Sequence, residues 1–126
     1  MSFDKDKFAT YLRKHSTPHS QGRCARAMRP ALEAGGASTS GHPVAAKEYG
    51  PTLERNGFYV VGFTDLKTYV PVKGDVVIIE PHSGGNAAGH IQAYDGRRWI
   101  SDFNQQRFWP GSGYEREEAV YVVYRR

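Results

Sequence analysis

Gly89-His90-Ile91-Gln92-Ala93-Tyr94-Asp95-Gly96-Arg97-Arg98-Trp99-Ile100-Ser101-Asp102-Phe103 decides the fold class. Two apolar-rich runs, His90 to Tyr94 and Arg98 to Phe103, flank Asp95-Gly96, a strong hairpin signal. Upstream, Gly74-Asp75 leads into Val76-Val77-Ile78-Ile79, a short buried strand bounded by Pro81. Phe58 to Phe63 is strand-like, and Ala119 to Tyr124 form a final apolar strand. The first half has a different rhythm. Phe3, Phe8, Tyr11 and Leu12 give residues 3–14 the spacing of a short amphipathic helix, which Ser16-Thr17-Pro18-His19-Ser20 breaks. A second helix starts near Gly22 and stops at Gly35-Gly36, with Ala27, Met28, Ala31 and Leu32 as its apolar stripe. Pro30 lies inside it and should kink it or end it early. Val44 to Arg55 read as a third helix that Gly50-Pro51 can split. Helices first and an antiparallel sheet of about five strands afterwards make an α+β fold, read as a single domain over residues 1–126.

Composition narrows the class. The net charge is +4 over 126 residues, and the isoelectric point is near 9.3. That favours a polyanionic partner. The basic residues are scattered, however, with Arg23, Arg26 and Arg29 the densest group, so the charge reads as mild steering and not as a nucleic-acid stripe. No apolar run approaches the roughly 20 residues of a membrane span. The amino-terminal Met1-Ser2-Phe3-Asp4-Lys5-Asp6-Lys7 lacks the apolar core of a signal peptide. A chain made in the cytoplasm and exported, if at all, by a signal-independent machine is expected.

Cys24 is the sole cysteine, which excludes an internal disulfide and a four-thiolate metal site. It sits at the start of the second helix, where backbone N–H groups and the helix dipole favour thiolate. Of the five histidines, His90 alone opens a well-marked strand, and a sheet position holds a general base more firmly than a loop tip. Gly89 should leave open space beside its ring. A third group should orient the imidazole. Asp102 is the obvious carboxylate, with Gln92 and Asn104 as fallbacks. A two-residue turn would pair His90 with Ser101 and send Asp102 to the opposite face, whereas a bulged turn centred on Gly96 would pair His90 with Asp102. Thioester chemistry also needs oxyanion donors. The Cys24 backbone N–H and the Gln21 side chain are the candidates.

A helix-borne cysteine preceded by Ser20-Gln21-Gly22-Arg23, followed by Gly74-Asp75-Val76-Val77-Ile78-Ile79 and then Gly89-His90-Ile91-Gln92-Ala93-Tyr94-Asp95-Gly96, resembles the papain-like cell-wall amidases. These include the CHAP (cysteine, histidine-dependent amidohydrolase/peptidase) and NlpC-type families. The resemblance covers roughly Ser20 to Tyr124 and implies a Cys24, His90 and Asp102 triad. The interval of twelve residues from His90 to Asp102 is common in those families and favours the bulged register. A small basic domain without signal peptide, wall-binding module or linker is similar to the type VI secretion amidase effectors, the crosslink-cleaving families and the third of them in particular. That likeness implies delivery to a rival's periplasm and cleavage of peptidoglycan stem peptides or D-alanyl–diaminopimelate crosslinks. It also implies a cognate immunity protein covering the Cys24 and His90 cleft, and no metal or organic cofactor, nucleic acid or membrane partner.

Other readings stand beside this one. A phage or housekeeping wall hydrolase would share these motifs. An acyltransferase could use the same triad, since any good nucleophile can resolve a thioester. A non-enzymatic basic module would bind wall polymer or nucleic acid. Trp99, Phe103, Phe108 and Trp109 read as core or rim packing. His15, His19, His42 and His82 match no metal-ligand spacing. Ser83-Gly84-Gly85-Asn86 reads as a lid or plain loop.

Overall fold

The computed structural model describes residues 3–20, 22–62 and 65–126. Helix α1 spans Lys5–His15. The Asp4 side chain caps it, accepting from the backbone N–H groups of Asp6 and Lys7 at 3.0 Å each. Helix α2 spans Cys24–Ala34 and continues past Pro30, so that residue does not end it. The carbonyl that loses its donor belongs to Arg26, an exposed position where water can take its place. Phe8 and Leu12 of α1 and Met28, Ala31 and Leu32 of α2 share one buried cluster, which is why the two helices pack together. The third helical segment is split as Gly50-Pro51 allows, into a 3-10 turn over Ala46–Glu48 and α3 over Gly50–Arg55.

The strands are β1 (Tyr59–Val60), β2 (Val76–Ile79), β3 (His90–Tyr94), β4 (Trp99–Ile100) and β5 (Tyr121–Arg125), with a short helix α4 over Ser112–Arg116 before β5. They form one antiparallel sheet in the order β1-β5-β2-β3-β4. Both faces are covered. Val76, Ile78, Ile91 and Ala93 join the helices in one cluster, while Val77, Ile79 and Val123 pack with Trp99 and Tyr114 in another. Burial on both faces explains why β2 reads as an unbroken apolar run without alternation.

The strand expected over Phe58 to Phe63 is only Tyr59–Val60, and Phe63 lies outside the described residues. The strand after the hairpin turn is also shorter than expected. It pairs Tyr94 with Trp99 and Ala93 with Ile100, a register that matches neither turn reading. Asp95 is the cause. Its Oδ1 accepts from the N–H groups of both Arg97 and Arg98, and its own N–H donates to the Arg98 carbonyl, so Gly96 and Arg97 form the tip. The chain then reverses over Ser101 to Asn104, with Asn104 bridged back to Ile100.

Candidate active site

Gly89 fixes the entry to β3. Its φ is +75°, and a Cβ there would lie 2.7 Å from the Ile79 carbonyl oxygen. Glycine is therefore needed for close approach as well as for conformation, and Gly89 lines the same cavity as the histidine. His90 follows, 7% exposed.

The approach to α2 is stapled to the turn after β4. Thr17 forms a parallel bridge with Phe103; its N–H donates to the Asp102 carbonyl and its own carbonyl accepts from Asn104 N–H. The Asp102 carboxylate then accepts from the Arg23 N–H at 3.0 Å, one residue before the helix. An anion at this point also complements the positive end of α2. These contacts bring Cys24, His90 and Asp102 to one cavity of about 180 Å³, with His82, Phe103 and Tyr114 on its other walls. Larger hollows of about 470 and 750 Å³ lie beside the α1–α2 connector and along β1, and neither is lined by Cys24 or His90.

The imidazole is held by a residue absent from the sequence reading. His90 Nε2 lies 2.9 Å from Gln105 Oε1. The amide of Gln105 is oriented by its own donations, to Gln92 Oε1 at 2.9 Å and to the carbonyls of Arg107 and Phe108 at 3.1 and 3.3 Å. Gln92 in turn donates to the Phe108 carbonyl. With its nitrogen committed, Gln105 can offer His90 only an acceptor. The neutral ring therefore carries its proton on Nε2 and keeps a free lone pair on Nδ1. Asp102 enters in another way, through its charge on the ring and its bond to Arg23. Of the fallbacks, Gln92 supports Gln105, and Asn104 is held through its backbone to Thr17. Gln21 lies outside the described residues.

Burial sets the charge state. It pushes the Cys24 thiol up and the nearby Asp102 charge adds to this, against the backbone N–H groups of Ile91, Ala25 and Cys24 itself. Burial likewise depresses His90 to about 4, against its bonds to Gln105 and Gln92 and the Asp102 charge. The expected preference for thiolate at the helix start is thus outweighed by desolvation. Both shifts favour the neutral forms, thiol and imidazole. Among the described residues, no three His, Cys, Asp or Glu side chains are grouped to hold a metal ion.

A crystal structure of the type VI native effector-immunity complex Tae3-Tai3 from Ralstonia pickettii contains a chain of this fold. The TM-score is 0.86 at 38% identity, over 98% of this chain and 98% of that one. This chain belongs to the Tae3 family of type VI effectors. The selenomethionine form of the same Ralstonia pickettii effector-immunity complex agrees, with a TM-score of 0.82 at 39% identity over 94% of this chain and 98% of that one. No protein-family model and no curated protein matches the chain. The Tae3 likeness covers both the helical half and the sheet, so the α+β, papain-like reading holds across the chain. No helix among the described residues is long and apolar enough to cross a membrane.

Proposed function

We propose that this Tae3-family chain is an antibacterial peptidoglycan amidase that opens wall stem peptides or their D-Ala–diaminopimelate crosslinks through a cysteine thioester. The observation that carries the reading is the meeting of Cys24 and a tautomerically fixed His90 on one cavity. Cys24 Sγ attacks the peptide carbonyl while His90 Nδ1 takes the thiol proton. That proton passes to the leaving amine as the C–N bond breaks. Water, deprotonated by the same nitrogen, then releases the acid and restores the thiol. Gln105 keeps the ring in the useful tautomer, and the Asp102 carboxylate offsets part of the charge that His90 acquires. A neutral resting pair makes His90 a general base during attack; no preformed imidazolium is needed.

Membership of a family solved as effector-immunity complexes supports two further readings. The chain acts in a rival cell's periplasm after type VI delivery, and its producer makes an immunity protein that covers the Cys24 cavity. Incubation of the protein with purified sacculi, followed by mass spectrometry of the soluble products, tests the activity. Wild type releases peptides with a new amine and a new carboxylate, and Cys24→Ala releases none. Undiminished release by Cys24→Ala, or acyl transfer without hydrolysis, would overturn the reading.

A further inference from the structure

The α4 wall of the cavity carries a group that the chemistry above leaves unused. Tyr114 is 8% exposed. Its ring meets His82 edge-on at 4.6 Å between centroids and tilts against His90 at 6.0 Å. His82 is itself wedged in place. A Cβ at Gly113 would lie 2.2 Å from its Cε1, and one at Gly85 would lie 2.3 Å from its Nε2, so glycine at both positions makes room for the ring. The loop bearing His82 is tied to the end of α4, because Ser83 N–H donates to both Glu117 carboxylate oxygens at 3.0 and 3.1 Å. The phenol ring is therefore gripped by the 82–86 loop on one side and the β3 histidine on another.

Its hydroxyl is uncommitted. The buried side-chain polar atoms without a partner among the described residues are Arg29 Nε and Tyr49 Oη. Tyr114 Oη is not one of them, and no hydrogen bond to it occurs among the described residues. Tyr114 lines the Cys24 and His90 cavity, and its phenol lies close enough to Cys24 to feel that group's charge. Burial and the nearby Cys24 charge both raise the phenol, which keeps it a neutral O–H donor in ordinary buffers.

On the opposite wall, the described donors beside Cys24 are backbone N–H groups. At the start of α2 the Arg23 N–H is already taken by Asp102, and the Asp102 charge disfavours a second negative charge nearby. A substrate oxygen that gains charge as sulfur adds is stabilised further by a donor on the facing wall.

We infer that the Tyr114 hydroxyl touches the substrate at the scissile carbonyl and donates a hydrogen bond to its oxygen as Cys24 attacks. This rests on Cys24 being the nucleophile. As the S–C bond forms, the carbonyl π pair moves onto oxygen and the thiol proton goes to His90 Nδ1. The Tyr114 proton stays on the phenol and is shared, not transferred.

Tyr114→Phe keeps the ring against His82 and His90 and removes only the hydroxyl. Turnover of purified peptidoglycan should fall about 10²-fold in kcat with KM nearly unchanged, as for loss of one oxyanion donor. Alkylation of Cys24 by iodoacetamide involves no carbonyl oxyanion and should keep its wild-type rate, and the melting temperature should not move. A kcat within about threefold of wild type would overturn the inference. So would a parallel loss of alkylation, which would place the effect on the thiol. Cys24→Ala is run beside it: if that variant stays active, the thioester reading itself has failed, whatever Tyr114→Phe does.

Discussion

Replacing Gln105 by Leu separates the group that holds His90 from the one that the sequence put forward. Gln105 is 3% exposed and makes four hydrogen bonds, one to His90 Nε2 and three through its own nitrogen. Leucine has similar bulk and can make none. The His90 N–H and Gln92 Oε1 would each lose a buried partner, at about 1–3 kcal/mol apiece. Partial repacking brings the expected loss of stability to about 3 kcal/mol, readable as a shifted midpoint in urea. The catalytic effect should be larger. Without an acceptor at Nε2 the ring is free to carry its proton on Nδ1, the wrong place for a base, and can rotate as well. A misassigned tautomer in a hydrolase triad lowers turnover by up to about 10⁴-fold, so at least 10²-fold is expected here. Asp102→Asn keeps an acceptor for the Arg23 N–H and removes the charge felt by both His90 and Cys24. Its turnover should fall less, about tenfold. Peptide release from sacculi, measured at one pH for both variants, ranks them. Near-wild-type turnover in Gln105→Leu together with abolition in Asp102→Asn would refute the assignment of the positioning role to Gln105.

Cys24 should react with iodoacetamide ever faster as pH rises past 9, because burial holds its thiol above the ordinary value of 9.0; a flat, fast phase between pH 5 and 8 would show a preformed thiolate–imidazolium pair instead. Stability should decline as pH falls from 6.5 toward about 4, since over that window the unfolded chain binds a proton that buried His90 refuses. The full difference is ~3 kcal/mol, and denaturant midpoints at pH 7 and pH 4 should show His90→Asn losing that much less than wild type. Gly89→Ala should cost about 3 kcal/mol from a left-handed backbone and overpacking against the Ile79 carbonyl, visible as a lower melting temperature with its kcat loss no smaller than tenfold.

The α+β order was legible because the Val76-Val77-Ile78-Ile79 run and the helical spacing around Met28 and Leu32 each have one reading. The placement of Cys24 at a helix start and of His90 at a strand start was legible for a related reason: both are local features. The hairpin register was not. It turns on the Asp95 carboxylate capturing two backbone amides, which moves the tip from Asp95-Gly96 to Gly96-Arg97. Gln105 was hidden by the same fact together with the reversal at Ser101 to Asn104, which depends on Thr17, far away in the chain. Helix α4 is too short and too glycine-rich at its start to show helical periodicity, and it carries Tyr114 into the cavity wall.

Strand β5 lies between β1 and β2, so a segment that follows Cys24, His90 and Asp102 in the chain supplies an interior strand of the sheet. Until Tyr121–Arg125 leaves the ribosome, β2 has an open edge and the strand bearing His90 rests on a half-built platform. Such distant pairing slows folding. The sheet that carries His90 is therefore closed by residues far along the chain, and its platform is completed late in folding.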